Sequence, residues 1–114
     1  MITYAILAFA IAAVGGLVLA SRVLTGKFAP WALSLIHALL GATGLFLLAV
    51  LAIESNWAGK ITAALALLVI AALGGFVLAS FHLKQKLPAK GLVIIHAGVA
   101  VAGFLTLLAV YFQL

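Results

Sequence analysis

The sequence predicts an all-α integral membrane protein: a four-transmembrane-helix bundle made of two tandem, parallel helical-hairpin repeats. The first reason is composition, because 69% of the 114 residues are hydrophobic and only 6% are charged. A soluble domain usually carries about 25% charged residues, so this chain has too few charges to cover a surface exposed to water. The other two reasons are four long apolar segments and an internal repeat.

Four apolar segments are long enough to cross a bilayer, whose hydrocarbon core of about 30 Å needs roughly 20 residues of helix. The period-2 alternation of a membrane β-barrel is absent, so helices are the only spanning structure left. Each connector carries charge and a Gly or Pro, as expected of a turn at a membrane surface. The predicted spans are 2–21, 31–53, 61–81 and 91–112, in a single transmembrane domain over 1–114.

The second half of the chain repeats the first. Residues 2–48 align without gaps with residues 61–107, a shift of 59 positions, and 20 of the 47 aligned pairs are identical. The chain is therefore predicted to be a duplicated hairpin, 2–53 and 61–112. Each unit has two spans, so both copies enter the membrane in the same direction, related by an axis along the membrane normal. The identical pairs include Gly15-Gly16 with Gly74-Gly75, Lys27 with Lys86, His37 with His96, and Gly44 with Gly103.

A histidine lies inside an apolar span twice in the same setting, His37 in SLIHALLGATG and His96 in VIIHAGVAVAG. In a four-helix bundle with short loops, corresponding helices lie across a diagonal. Neighbouring helices spaced about 8–10 Å apart give a diagonal of roughly 12–14 Å, which leaves room for one metal between two inward imidazoles. A haem iron takes axial ligands along a single line. We therefore predict one b-type haem per chain, with His37 and His96 as its axial ligands.

Small residues surround both histidines, as a flat macrocycle between helices would require. They follow each histidine on its own helix face and also lie at the same level on the preceding helix. Two plainer explanations stay open, since small residues let membrane helices pack closely and a buried histidine can serve only as a hydrogen-bonding group. A third alternative is that the histidines bind another metal or ligand. A symmetric pair of ionisable residues within a membrane favours a functional role. The predicted haem-contacting glycines are Gly15, Gly16, Gly41, Gly44, Gly74, Gly75 and Gly103.

Through His37, His96 and the glycines around them, the chain resembles the membrane-bound b-type cytochromes, which hold haem between helices with paired histidines. The resemblance implies an electron carrier that acts as a subunit or partner of a respiratory or redox complex, with a quinone as a possible partner. Those cytochromes often stack two haems across the bilayer. This sequence has no second symmetric pair, because His82 aligns with Val23.

The connectors at 22–30 and 82–90 hold most of the basic residues, whereas 54–60 holds the single acid. By the positive-inside rule the two basic connectors are cytoplasmic and both termini lie on the non-cytoplasmic side, in what we expect to be a bacterial inner membrane. Topology and lipid head groups explain the net charge of +5, so no nucleic-acid partner is expected. The candidates to pair with haem propionates are Arg22, Lys27, His82 and Lys86, although each can equally serve topology and lipid contact alone.

Two other function classes suit the size of the chain. A non-catalytic accessory or anchoring subunit of a larger membrane complex needs only the spans and few polar residues. A small multidrug transporter needs a carboxylate inside a helix, and the one acid, Glu54, lies at a membrane edge. An enzyme is not favoured, because the chain has no nucleophile paired with a base, no carboxylate pair and no phosphate-binding loop.

Overall fold

The computed structural model describes all 114 residues and contains four α-helices joined by short connectors. Each helix is long and apolar enough to cross a membrane. The molecule is elongated, measuring 42 × 23 × 20 Å along its principal axes. The helices are α1 (Ile2–Leu24), α2 (Trp31–Glu54), α3 (Gly59–Leu83) and α4 (Lys90–Tyr111).

Most helices are longer than the predicted spans. α1 continues past residue 21 to Leu24, and α3 begins at Gly59 and ends at Leu83. Hydropathy ends a span at the first polar residues, whereas helical hydrogen bonding continues until the backbone turns. Two basic-connector residues, Arg22 and His82, therefore belong to the last turns of α1 and α3.

α1 and α3 end in the same kind of turn. Gly26 has φ +82°, and Gln85, which lies 59 positions further on, has φ +55°. The Lys27 N–H donates to the Arg22 carbonyl at 2.9 Å, and Lys86 makes the equivalent bond at the same length. A left-handed residue after the last helical turn lets these bonds satisfy carbonyls that the helix leaves free.

The helices pair as two hairpins: α1 with α2 (hairpin 1) and α3 with α4 (hairpin 2). The hairpins contact each other through α1 with α4 and through α2 with α3, whereas α2 and α4 have no Cα atoms within 8 Å of each other. The second and fourth helices therefore lie across a diagonal, which is the arrangement expected for short connectors.

The buried core lies at one end of the bundle, where both termini and the 55–58 connector meet (the closed end). At the opposite end, where connectors 25–30 and 84–89 meet (the basic end), Val93 is the only buried residue beyond the level of Ala12 and Ala71. The hairpins are thus held together by apolar packing mainly at the closed end. The core cluster there consists of Ala5, Phe9, Leu48, Ala52, Ile61, Ala64, Leu68 and Leu107.

Candidate ligand site at the histidine pair

His37 lies on α2 and turns its imidazole toward α1. Its Nδ1 atom is 2.8 Å from the carbonyl oxygen of Ala12. The ring lies directly over Gly16, where an added Cβ would be 2.9 Å from the imidazole Cε1. A side chain at this position would displace the ring, so Gly16 and the Ala12 carbonyl together form a seat for His37.

His96 has the same seat in hairpin 2. Its Nδ1 atom is 2.7 Å from the carbonyl oxygen of Ala71, and a Cβ added at Gly75 would be 3.3 Å from its Cε1. Ala71 and Gly75 occupy the positions that correspond to Ala12 and Gly16. Each hairpin therefore fixes its own imidazole by a hydrogen bond to the preceding helix.

The hydrogen bond also determines which ring nitrogen is left free. A carbonyl oxygen can only accept, so the Nδ1 atoms of His37 and His96 must be the donors. A neutral ring with its hydrogen on Nδ1 keeps a lone pair on Nε2. Histidines that bind metals commonly donate their other ring N–H to a backbone carbonyl in this way.

The two imidazoles meet between the hairpins. Their ring centroids are 6.3 Å apart and their planes are inclined at 79°. Two imidazoles on opposite sides of one metal have centroids about 6–6.5 Å apart, given metal–nitrogen bonds of roughly 2.0–2.1 Å. The spacing of His37 and His96 therefore suits a shared metal.

No further protein ligand joins the pair, because the structure has no group of three or more His, Cys, Asp or Glu side chains. A zinc site usually has three or four protein ligands. A haem iron needs only two, because the macrocycle supplies the other four donors. The donor set thus fits a haem iron better than a bare zinc ion.

One of the two rings, that of His96, borders a groove. A groove of about 240 Å³ runs along His96, with Gly74, Ile95 and Val99 among its walls. Pockets for drug-sized ligands measure about 300–1,000 Å³, and a haem is at least as large as such ligands. All walls of this groove belong to α3 and α4 and it does not reach His37, so it is not a pocket for a macrocycle shared by both rings.

The glycines predicted to line a haem do not form one group. A Cβ added at Gly16, Gly74 or Gly75 would meet an imidazole ring, whereas one at Gly15 would meet Leu33 and the Cβ of His37. A Cβ at Gly44 would instead lie 2.7 Å from the Phe9 ring, and one at Gly103 would lie 2.7 Å from Leu68. These two glycines belong to the closed-end packing, and Gly41 has no neighbour within 4 Å of an added Cβ.

The four residues proposed for the propionates lie at the basic end and make no hydrogen bond to the histidine pair. Arg22 donates through Nε to the Phe28 carbonyl at 3.4 Å, while Lys27 and Lys86 are exposed in the connectors. His82 stacks on Trp31, with ring centroids 3.8 Å apart and planes within 8°.

Sequence reasoning missed three parts of this region: the carbonyl acceptors of Ala12 and Ala71, the side chains that cover Gly44 and Gly103, and the Trp31–His82 stack. The first two follow the repeat, because both histidines lie 25 residues after their acceptor alanine and both glycines lie 35 residues after the side chain that covers them, whereas the stack has no counterpart in the other hairpin. Comparison of the chain with protein-family models, with curated proteins and with solved structures finds no match.

Proposed function

We propose that this chain is a membrane-embedded b-type haem protein that carries electrons, as a subunit or partner of a larger redox complex. The observation that supports it best is the pair of imidazoles 6.3 Å apart, each with Nδ1 engaged by a carbonyl of its own hairpin. That arrangement leaves two Nε2 lone pairs and no third protein ligand, which is the donor set of a six-coordinate haem iron.

The membrane placement is part of the proposal. Four apolar helices support insertion, and the basic residues at one end support an orientation in which connectors 25–30 and 84–89 are cytoplasmic and both termini are not. Under this orientation the histidines lie in the cytoplasmic half of a bacterial inner membrane. Each histidine lies six residues after the first residue of its helix, which is about 9 Å along the helix axis.

Each residue near the pair has a definable task in this function. His37 and His96 would bind through Nε2, and the carbonyls of Ala12 and Ala71 hold the rings in the binding tautomer. Bound haem supplies one-electron exchange with a partner such as a quinone or a neighbouring subunit. With both imidazoles bound to the iron, no position would be left for oxygen, which would favour electron transfer over oxygen chemistry.

The test is a haem titration of the purified wild-type chain in detergent, followed by visible spectroscopy during stepwise reduction. We expect about one haem per chain, the sharp bands of low-spin six-coordinate iron, and reversible one-electron reduction. His82→Ala is the matched control, because it removes the one histidine outside the pair and should leave the spectrum unchanged. A wild-type chain that takes up no haem, or takes it up only in a high-spin form, contradicts the proposal.

A non-catalytic accessory or anchoring subunit is the second candidate, and one observation favours it. Each imidazole already has a hydrogen-bond partner on the preceding helix, which links α2 to α1 and α4 to α3. The two histidines can therefore stabilise the helix pairs without binding a ligand. In that case the wild-type protein should bind no haem, and the variants His37→Ala and His96→Ala should each have a lower thermal stability than the wild type.

A further inference from the structure

The basic end of the molecule carries its net positive side-chain charge, because Lys60 and Glu54 offset each other at the closed end. Five of the six basic side chains are there and all five are exposed, while the single acid, Glu54, lies at the closed end. Two helices begin at the basic end and two finish there, so their dipoles largely cancel and the side chains set the potential. The five residues are Arg22, Lys27, Lys84, Lys86 and Lys90.

These cations come from both hairpins and are brought together. Trp31 directly follows the first basic connector and His82 precedes the second, and their stacked rings are 3.8 Å apart. The two connectors are therefore neighbours. No carboxylate lies between them, so their charges repel each other at the end where the hairpins share the least buried surface.

We propose that the basic end binds the head groups of anionic phospholipids, which bridge the two connectors and stabilise the pairing of the hairpins. Four to eight clustered Lys and Arg residues next to membrane-spanning helices are a common recognition surface for anionic lipids. Trp31 is 45% exposed at this level, and an exposed Trp at a helix end suits the head-group region. This inference rests on the proposed membrane insertion and is independent of haem.

The experiment measures lipid binding to the detergent-purified full chain by native mass spectrometry, with phosphatidylglycerol compared against phosphatidylcholine of the same acyl chains. We expect phosphatidylglycerol to bind at least tenfold more tightly and to raise the thermal midpoint. Each basic side chain near a membrane surface contributes about a fivefold factor in affinity. The triple variant Lys84→Gln/Lys86→Gln/Lys90→Gln should therefore lose at least tenfold in affinity for phosphatidylglycerol.

Lys60→Gln is the matched control, because it removes the one basic residue at the closed end and should bind phosphatidylglycerol as the wild type does. Arg22→Gln/Lys27→Gln tests hairpin 1 separately and keeps the test valid if the triple variant does not fold. Equal binding of the two lipids overturns the proposal, as does an equal loss in Lys60→Gln. So does an equal thermal shift with inorganic phosphate or with a polyglutamate peptide, because that would assign the end to free anions or to an acidic protein.

Wild-type chain that washes out of membranes at alkaline pH would refute insertion itself. Wild-type chain that stays in membranes yet shows no lipid preference would refute only the lipid proposal. The two failures are therefore distinguishable, and neither depends on haem content.

Discussion

Hairpins 1 and 2 hold their histidines in the same way but fill the space around them differently. In each hairpin the histidine Nδ1–H donates to the carbonyl of the residue 25 positions earlier, and the ring lies against the glycine four residues after that carbonyl, Gly16 or Gly75. In hairpin 1 the core residue Phe9 covers Gly44, whereas in hairpin 2 Leu68 covers the corresponding Gly103. Leu40 of hairpin 1 also stands where hairpin 2 has Val99. The imidazole seat is the same in both hairpins, whereas the side chains that cover Gly44 and Gly103 differ. We therefore interpret the covering side chains as packing contacts rather than as part of the ligand site.

The largest loss of stability should come from substituting the two glycines that core side chains cover at the closed end, Gly44 and Gly103. Gly103→Ala would put a Cβ 2.7 Å from Cγ of Leu68, an atom close to the backbone. Gly44→Ala would meet the tip of the Phe9 ring at the same distance, and a ring tip yields more easily. We expect Gly103→Ala to lower the free energy of unfolding by about 1–3 kcal/mol and Gly44→Ala by less, in thermal melts in detergent.

Gly98→Ala is the control for those melts, because an added Cβ there has nothing within 4 Å. If Gly103→Ala and Gly44→Ala have the same thermal midpoint as Gly98→Ala, then Leu68 and Phe9 do not pack against the two glycines as described.

A smaller effect should distinguish the two imidazole seats. A Cβ at Gly16 would lie 2.9 Å from the His37 ring, whereas one at Gly75 would lie 3.3 Å from the His96 ring. Gly16→Ala should displace its ring and lose the hydrogen bond to Ala12, at about 1 kcal/mol, while Gly75→Ala should cost less. Imidazole ¹⁵N NMR shows directly whether Nδ1 still carries its hydrogen.

Gly15→Ala serves as the control for the seat, because its nearest neighbour would be 3.7 Å away. Equal shifts of the His37 resonances in Gly15→Ala and Gly16→Ala would mean that the ring does not rest on Gly16.

The smallest effect should come from the helix-ending turns. Gln85 has φ +55° where hairpin 1 has Gly26, and a side chain in the left-handed region costs about 1 kcal/mol relative to glycine. Gln85→Gly should therefore stabilise the protein by up to about 1 kcal/mol, and Gly26→Gln should destabilise it. Chemical or thermal unfolding of the two variants measures both signs, and a destabilised Gln85→Gly would show that the side chain makes a compensating contact.

The sequence was sufficient to predict the four helices and the diagonal placement of α2 and α4, because hydropathy, short connectors and the 59-residue shift act over whole segments. It was not sufficient for the contacts of single residues. Every helix carries carbonyls like that of Ala12, so the acceptor of His37 depends on how the helices rotate. The Trp31–His82 stack has no counterpart, since the matching positions hold Lys90 and Val23, and the repeat therefore gave no signal for it.

The sharing of one ligand by both hairpins is tested most directly by comparing His37→Ala with His96→Ala in haem titrations. Because each hairpin supplies one donor, we expect both variants to lose the six-coordinate low-spin spectrum equally and to bind haem at least tenfold more weakly than the wild type. The matched control His82→Ala should bind like the wild type. Retention of the six-coordinate spectrum by either variant, or the absence of haem uptake by the wild type, would contradict a site built from His37 and His96.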